Sequence, residues 1–262
     1  MASVKSKSWL TPRAEPPLQA PVPPNRHPAT ISSPDRPGNA RPLRSIPVPG
    51  FATASVCALL TLLHCAAADG EFKLLPPDLQ GGKPLLQTLA ERRTTRDFIP
   101  TAELPPKVLS NLIWAAAGIN RPETGGRTAP TAMNSQEQDL YVLLAKGTYR
   151  YEPKDHKLLR VSEKDLRALS SGQPFATNAP VTLLFVADLE RMPKAKPEER
   201  ERYAGIDAGY ISQNVYLFCS SEGLGSVVHE LDRVPLITAL GLKPSQKIIL
   251  AQAIGYPKPP EN

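Results

Sequence analysis

Residues 91–98 read Glu-Arg-Arg-Thr-Thr-Arg-Asp-Phe, which places three arginines and two threonines in the five positions 92–96. Guanidinium forks and hydroxyl donors together match the oxygens of a phosphate or a similar anion. Upstream, Leu85, Leu86 and Leu89 repeat as one helix face, and Pro100 follows two residues after Phe98. The arginines therefore stand where a helix gives way to extended chain. The same residues also suit a solvated helix C-terminus, whose dipole favours cations, and on spacing alone both readings stand. A second stretch, residues 126–134, is a polar loop of small side chains carrying Thr128, Pro130, Thr131 and Asn134. Such a loop can approach a flat ring closely and offer hydroxyl, amide and backbone groups to its edge; the plain alternative is a helix-to-strand turn.

Other chemistries are excluded by what is missing. No glycine-rich nucleotide fingerprint of the Rossmann or Walker type occurs. No His, Cys, Asp and Glu cluster has metal-ligand spacing. The serines and histidines form no hydrolase motif. Cys57, Cys65 and Cys219 have neither metal nor redox-pair spacing, and Cys219, between Phe218 and Ser220, reads as a small core filler.

The elements that would position these residues occupy only part of the 262-residue chain. Twelve of its 30 prolines fall in the first fifty positions, without any periodic apolar run, so residues 1–45 read as a disordered extension. The formal charge of +6 invites a nucleic-acid reading, but residues 1–68 hold seven basic and two acidic residues, leaving 24 and 23 in the rest. The folded part is nearly neutral, and no nucleic-acid partner is expected. Within 46–68 lies the uncharged run 51–63, preceded by Arg41 and Arg44 and followed by Ala66, Ala67, Ala68 and Asp69. This is the pattern of a secretory signal, displaced about 40 residues from Met1; a true start near Arg44 would account for the offset. A short anchor and a buried helix are the alternatives. Pro47, Pro49 and Gly50 leave too little for a stable membrane span. Export implies a periplasmic protein, otherwise a cytoplasmic one.

Residues 69–82 read as a linker, and the folded domain is expected over 83–262. A helix opens at Pro105 and Pro106, with Val108, Leu109, Leu112, Ile113 and Ala116 on one face and Gly118 as its stop. The chain from 119 to 131 reads as loop. A meander follows, with strands near 140–144, 147–151 and 156–161, and His156 on a surface turn. The run 181–187 is continuously apolar and reads as a central strand covered on both faces. Residues 191–202, dense in charge, read as a surface excursion that could act as a lid. A helix over 203–222 buries Ala208, Ile211, Val215, Phe218 and Cys219, and its Gln213 and Asn214 need partners if buried. A second helix spans 234–240, and a final strand 248–255 leads to Lys258. The fold class is α+β.

The segment Arg92-Arg93-Thr94-Thr95-Arg96-Asp97-Phe98 resembles the opening flavin-phosphate motif of the nitroreductase family, in its thiazole-oxidase-like (SagB-type) branch. Three further stretches are similar to the same family in the same order: residues 126–134, Asp207-Ala208-Gly209-Tyr210-Ile211-Ser212-Gln213-Asn214, and Gly223-Leu224-Gly225. The resemblance spans roughly residues 80–258. It implies a nitroreductase-like fold, with a central mixed or antiparallel sheet flanked by helices, and a homodimer with FMN between the subunits. Carried over, Arg92, Thr94 and Arg96 hold the phosphate and ribityl end, with Arg93 assisting. Pro130, Thr131, Ala132 and Asn134 face the isoalloxazine ring, and Arg127 reaches substrate or cofactor. One backbone N–H within Val228, His229 and Glu230 meets the ring's N5, and His229 is a candidate proton donor. The implied activity is an FMN-dependent oxidoreductase that passes hydride or electrons between a donor and a small organic substrate by a ping-pong mechanism. In a periplasm the donor would be a quinol, a redox protein or the substrate itself; in the cytoplasm, NAD(P)H. The competing reading is a non-catalytic flavin-binding or scaffold protein of the same fold.

Overall fold

The computed structural model describes residues 70–259. The Pro-rich extension, the apolar segment with its signal, anchor and helix readings, and Cys57 and Cys65 lie outside them. Seven strands form one sheet in the order β1-β6-β5-β4-β7-β9-β8. They are β1 (Glu71–Lys73), β4 (Gln138–Leu144), β5 (Gly147–Glu152), β6 (Lys157–Ser162), β7 (Val181–Asp188), β8 (Gly225–His229) and β9 (Gln246–Gly255). Every pairing in it is antiparallel, so the expectation of a mixed or antiparallel sheet resolves to the second.

Period-two alternation decides what each face packs against. On β7, Leu183 and Phe185 face a core shared with α2 (Pro106–Ala117) and α4 (Pro197–Ser221), while Leu184 and Val186 face a second core under α5 (Arg233–Leu240). The continuous apolar run of β7 therefore reflects helices on both sides of its sheet. In α4, Ala208, Ile211, Val215 and Cys219 make the buried stripe, packing on Leu109, Leu112, Ile113 and Ala116 of α2. Pro106 and Pro197 start their helices in first-turn positions where no N–H is needed, and Glu198 and Glu199 sit at the positive end of α4.

Several sequence expectations change. The stretch read as linker contains β1, which pairs with β6 from Glu71↔Leu159 to Lys73↔Lys157; three residues are too few for a periodic signal. The loop at 119–131 holds a small hairpin of β2 (Ile119–Arg121) and β3 (Gly126–Arg127). Residues 191–202 are not a loose excursion: Met192 is fully buried, and α4 begins at Pro197. Phe218 is only partly buried and Gln213 is exposed, whereas Asn214 donates to the Ala115 carbonyl at 3.2 Å. His156 is half-buried rather than a surface histidine, flanked by the Tyr151 hydroxyl at Nδ1 and the Ser110 hydroxyl at Nε2, each 2.8 Å away. In α1 (Leu85–Glu91), Thr88 faces inward while Leu85, Leu86 and Leu89 are exposed. Gly118 ends α2 in an extended conformation; the Trp114 ring lies 2.3 Å from where a Cβ would stand.

The chain after α1 is pinned by one aromatic wedge. Phe98, 2% exposed, bridges to Pro257, and its ring lies over Gly225 of β8 and Gly255 of β9, which are directly paired. A Cβ at either glycine would sit 3.2 Å from a Phe98 ring carbon, tighter than packed cores hold. Phe98→Ala should cost about 3–5 kcal/mol of unfolding free energy, read from a lower urea midpoint with an unchanged slope.

Candidate functional site

With Phe98 seated, the five residues before it have little freedom. The Arg92 N–H still donates to Thr88 of α1, but its backbone is already extended. Thr95 N–H donates to the Ser226 carbonyl (3.0 Å), Ile99 N–H to Tyr256 (2.9 Å), and Lys258 N–H to Asp97 (3.0 Å). The arginine segment thus lies along the open edge of β8, the last strand of the sheet. Gly225 permits this approach, since a Cβ there would meet Thr95 Cγ2 at 2.7 Å.

Beside this ledge opens a cleft of about 530 Å³, lined by Arg92, Arg93, Thr95, Tyr216, Ser220 and Ser226. Arg92 places its guanidinium 5.5 Å from the centre of the Tyr216 ring, and Arg96 lies 5.9 Å from that of Phe175 in α3 (Pro174–Asn178). The acids at either end are already matched: Glu91 pairs with Lys83 at 2.6 Å and Asp97 with Lys258 at 3.2 Å. Among the described residues, Arg92, Arg93 and Arg96 have no carboxylate within ion-pair distance. Positive charge without an internal partner, beside an open cleft, is the arrangement an anion requires.

Further along β8, the Val228 N–H donates to the Tyr216 hydroxyl at 2.8 Å. His229 is 6% exposed, with the Phe175 ring edge-on at 5.9 Å. Its Nδ1 faces the Glu230 carbonyl at 3.1 Å, an acceptor only, so Nδ1 carries the proton and the buried Nε2 is a bare lone pair without a partner. Burial also lowers its pKa. His229 is therefore neutral near pH 7 and offers an acceptor at Nε2, against its reading as a proton donor. Glu230 is exposed and pairs with Arg233 at 2.7 Å, which holds its carboxyl below the usual range.

The loop with Pro130, Thr131, Ala132 and Asn134 lies elsewhere. After extended Thr131 the chain makes a tight turn over Ala132–Asn134, with Met133, Asn134 and Gln136 all in the left-handed region at φ of 55°, 55° and 48°. Such strain persists only where neighbours enforce it. Ala132 N–H donates to Asp207 Oδ2 (2.8 Å), Gln136 N–H to Thr131 Oγ1 (3.1 Å), and Arg127 Nε to Gln136 Oε1 (3.0 Å). Asp207 belongs to the first half of α4 and Ser220 to its end, so loop and ledge are separated by about 20 Å of helix. Within one chain the sequence-derived site residues fall into two groups.

Behind the loop lies a feature whose pairing has no signature in residue spacing. Glu137, with no exposed surface, and Asp207, 2% exposed, form a buried acid pair. Burial raises both pKa values, while the bond from the Ala132 N–H favours the charged form of Asp207, so Glu137 is the more readily protonated of the two. Gln138 Nε2 donates to the other Glu137 oxygen at 3.0 Å and to the Ala204 carbonyl at 2.9 Å. Tyr216, Ser220 and Phe175 were likewise not singled out in sequence. Tyr216 and Ser220 are one turn apart on α4, a spacing that would have revealed them once the ledge's position was known. Among the described residues no group of three or more His, Cys, Asp or Glu side chains is disposed to hold a metal.

Known proteins agree with this architecture. The model of the nitroreductase family matches residues 89–256. A nitroreductase-family protein of Methanocaldococcus jannaschii is 30% identical over 161 residues, covering 58% of this chain and 80% of its own. A crystal structure of a nitroreductase-family protein from Ralstonia eutropha is 41% identical, with a TM-score of 0.69, across 73% of this chain and 91% of that one. A second, from Anabaena variabilis, shares the fold at 21% identity and a TM-score of 0.62, across 72% of this chain and 42% of the other.

The acid pair has a measurable consequence. Native pKa values above the ordinary 4.5 and 3.8 mean that the folded chain keeps a proton which the unfolded chain releases. The pair's contribution to stability is complete below those ordinary values and is lost as pH rises through the native ones. Glu137→Gln keeps a donor to Asp207 and removes one titration. In chemical unfolding from about pH 4 to 8, the variant should gain on the parent as pH rises; a gap independent of pH would contradict the assignment.

Proposed function

The chain belongs to the nitroreductase family, and we propose that it is an FMN-dependent oxidoreductase working as a homodimer. The observation that carries this reading is the ledge: Arg92 and Arg93, without internal carboxylates, line a cleft of about 530 Å³ at the edge of β8, and Arg96, equally unpaired among the described residues, follows in the same segment. That volume lies in the range of about 300–1,000 Å³ usual for cofactor and ligand sites. The donor set suits a phosphate, and the missing Cβ of Gly225 lets the chain carrying it close on the strand. Arg92, Thr94 and Arg96 would hold the phosphate and ribityl end, with Arg93 assisting and Lys258 nearby. Bound FMN would supply hydride or electron transfer in two alternating half-reactions.

The chain's own groups would bind, orient and tune. Backbone N–H groups from Val228 to Glu230 would face the ring edge, and the Val228 N–H becomes available only when the Tyr216 hydroxyl yields it. His229 would accept rather than donate, so substrate protons would come from elsewhere. The loop with Pro130, Thr131, Ala132 and Asn134 would face the ring of the partner's cofactor, since its own ledge lies at the far end of α4. Ile206, Gly209, Tyr210 and Gln213 form an exposed stripe on α4, and Leu85, Leu86 and Leu89 another on α1; a second copy packing there would cover both.

Small organic molecules are the substrate class, and the thiazole-oxidase-like branch makes dehydrogenation as compatible as reduction. If the chain is exported, a quinol or a redox protein would act as donor; otherwise NAD(P)H. No helix among the described residues is long and apolar enough to cross a membrane.

Protein purified from residue 69 onward should carry the visible absorbance of an oxidised flavin, bleached on anaerobic titration by one of these donors. Arg92→Ala should weaken FMN binding about tenfold or more, corresponding to the loss of a charge-assisted hydrogen bond of ~1.5–3 kcal/mol. A colourless protein that takes up no FMN would favour the non-catalytic reading, and unchanged affinity in the variant would refute the phosphate assignment.

A further inference from the structure

Away from the ledge, three guanidiniums converge where two strands part. The register of β4 with β5 runs from Leu144↔Gly147 to Tyr141↔Arg150 and stops. Beyond that point β4 continues beside β7 as far as Gln138↔Ala187, and β5 beside β6 as far as Glu152↔Lys157. The fork between them holds a recess of about 80 Å³, lined by Arg127 of β3, Arg150 of β5, Arg191 from the turn after β7, and the acids Asp139 and Glu152.

The charges in this recess do not balance. Arg191 pairs with Asp139 at 2.9 Å, yet its Nε is buried without a partner. Arg127 donates only to neutral acceptors, Gln136 Oε1 at 3.0 Å and the Ala117 carbonyl at 3.4 Å. Arg150, half-buried, makes no side-chain hydrogen bond or ion pair among the described residues, and Glu152 forms no ion pair with any of the three. Three positive side chains thus face two negative ones, of which only Asp139 is paired with an arginine; Glu152 accepts from the Lys154 N–H. Burial, and then the charge of Arg191, lower the pKa of Arg127. Guanidinium does not give up its proton at neutral pH, so the desolvation of Arg127, beside an Arg150 with no ion-pair partner among the described residues, calls for a counter-charge from outside the chain.

We propose that this fork is a binding site for a small carboxylate monoanion, of formate or acetate size, held between Arg127, Arg150 and Arg191. A planar pair of oxygens matches the guanidinium fork in two parallel hydrogen bonds. A recess of this volume lies well below the roughly 300–1,000 Å³ of sites for drug-sized ligands and cofactors, so it suits an anion of a few heavy atoms rather than a nucleotide. The formal surplus in the recess is one charge, which selects a monoanion over sulfate or phosphate. The site uses none of the ledge residues and stands whether or not the flavin reading holds. Arg127 also links it to Gln136, whose side chain donates to Asn134 Oδ1 at 3.2 Å, so an occupant would brace the 130–134 loop.

Thermal unfolding of the full chain in sodium acetate, formate, chloride and sulfate, at matched ionic strength, tests the site. Acetate and formate should raise the midpoint saturably and above chloride, and also above sulfate in the Arg92→Ala background, where the ledge's own anion contact is removed. Arg150→Gln should weaken the apparent affinity at least tenfold, Arg150→Lys should restore part of it, and Arg92→Ala, on the ledge, should leave it unchanged. Equal effects of all four salts would overturn the proposal. So would an Arg150→Gln variant with undiminished response, or a response lost in Arg92→Ala but kept in Arg150→Gln, which would place the anion on the ledge.

Discussion

The packing of Phe98 over the paired glycines Gly225 and Gly255 is the contact on which the candidate site depends. Two directly opposed residues without side chains leave a slot across the end of β8 and β9, and a six-membered ring fills it. Backbone hydrogen bonds from Thr95, Ile99 and Lys258 then lock the flanking chain to the sheet edge. A larger residue at 225 would meet both the ring and the Thr95 methyl, so one position controls the wedge and the approach of the ledge together. Bulk belongs to Phe98 and absence of bulk to the glycines, and neither has a purpose without the other.

A second constraint is electrostatic. The folded part of the chain is nearly neutral, yet its charges are not evenly matched. Acids flanking the ledge are neutralised by Lys83 and Lys258, and this leaves the arginines between them unopposed. At Glu137 and Asp207 the imbalance has the opposite sign: two buried carboxyls have no ion-pair partner among the described residues, and burial raises the pKa of both. The strained loop next to them relies on that arrangement, because the same Asp207 carboxylate anchors Ala132. In the fork between β4 and β5 Asp139 pairs only with Arg191, and the other two arginines retain their protons.

Helix α4 arranges all of this. It crosses one face of the sheet with Ala208, Ile211, Val215 and Cys219 inward, meets the 130–134 loop at Asp207, and reaches the ledge at Tyr216 and Ser220. Its length keeps loop and ledge apart within one chain. In the proposed homodimer the exposed Ile206 and Tyr210 would pack against the second copy, and each copy would complete the site of the other.

The amino-acid sequence by itself determined the elements with long or redundant patterns. The central strand β7, the helices α2 and α4, the meander β4 to β6 and the arginine-threonine segment were all legible, because each repeats its signal over several residues. It also placed most of the net positive charge in residues 1–68 and left the remainder nearly neutral. Only the tertiary structure decided the rest, because the interactions concerned join residues far apart in sequence. β1 has three residues and takes its identity from β6. His156 acquires its partners from Ser110 and Tyr151. The reason for Gly225 appears only when Phe98 and Thr95 are seated on it. Above all, the raised pKa of Glu137 and the imbalance around Arg150 depend on burial, which a sequence does not record: the same side chains in water would each be charged, hydrated and unremarked.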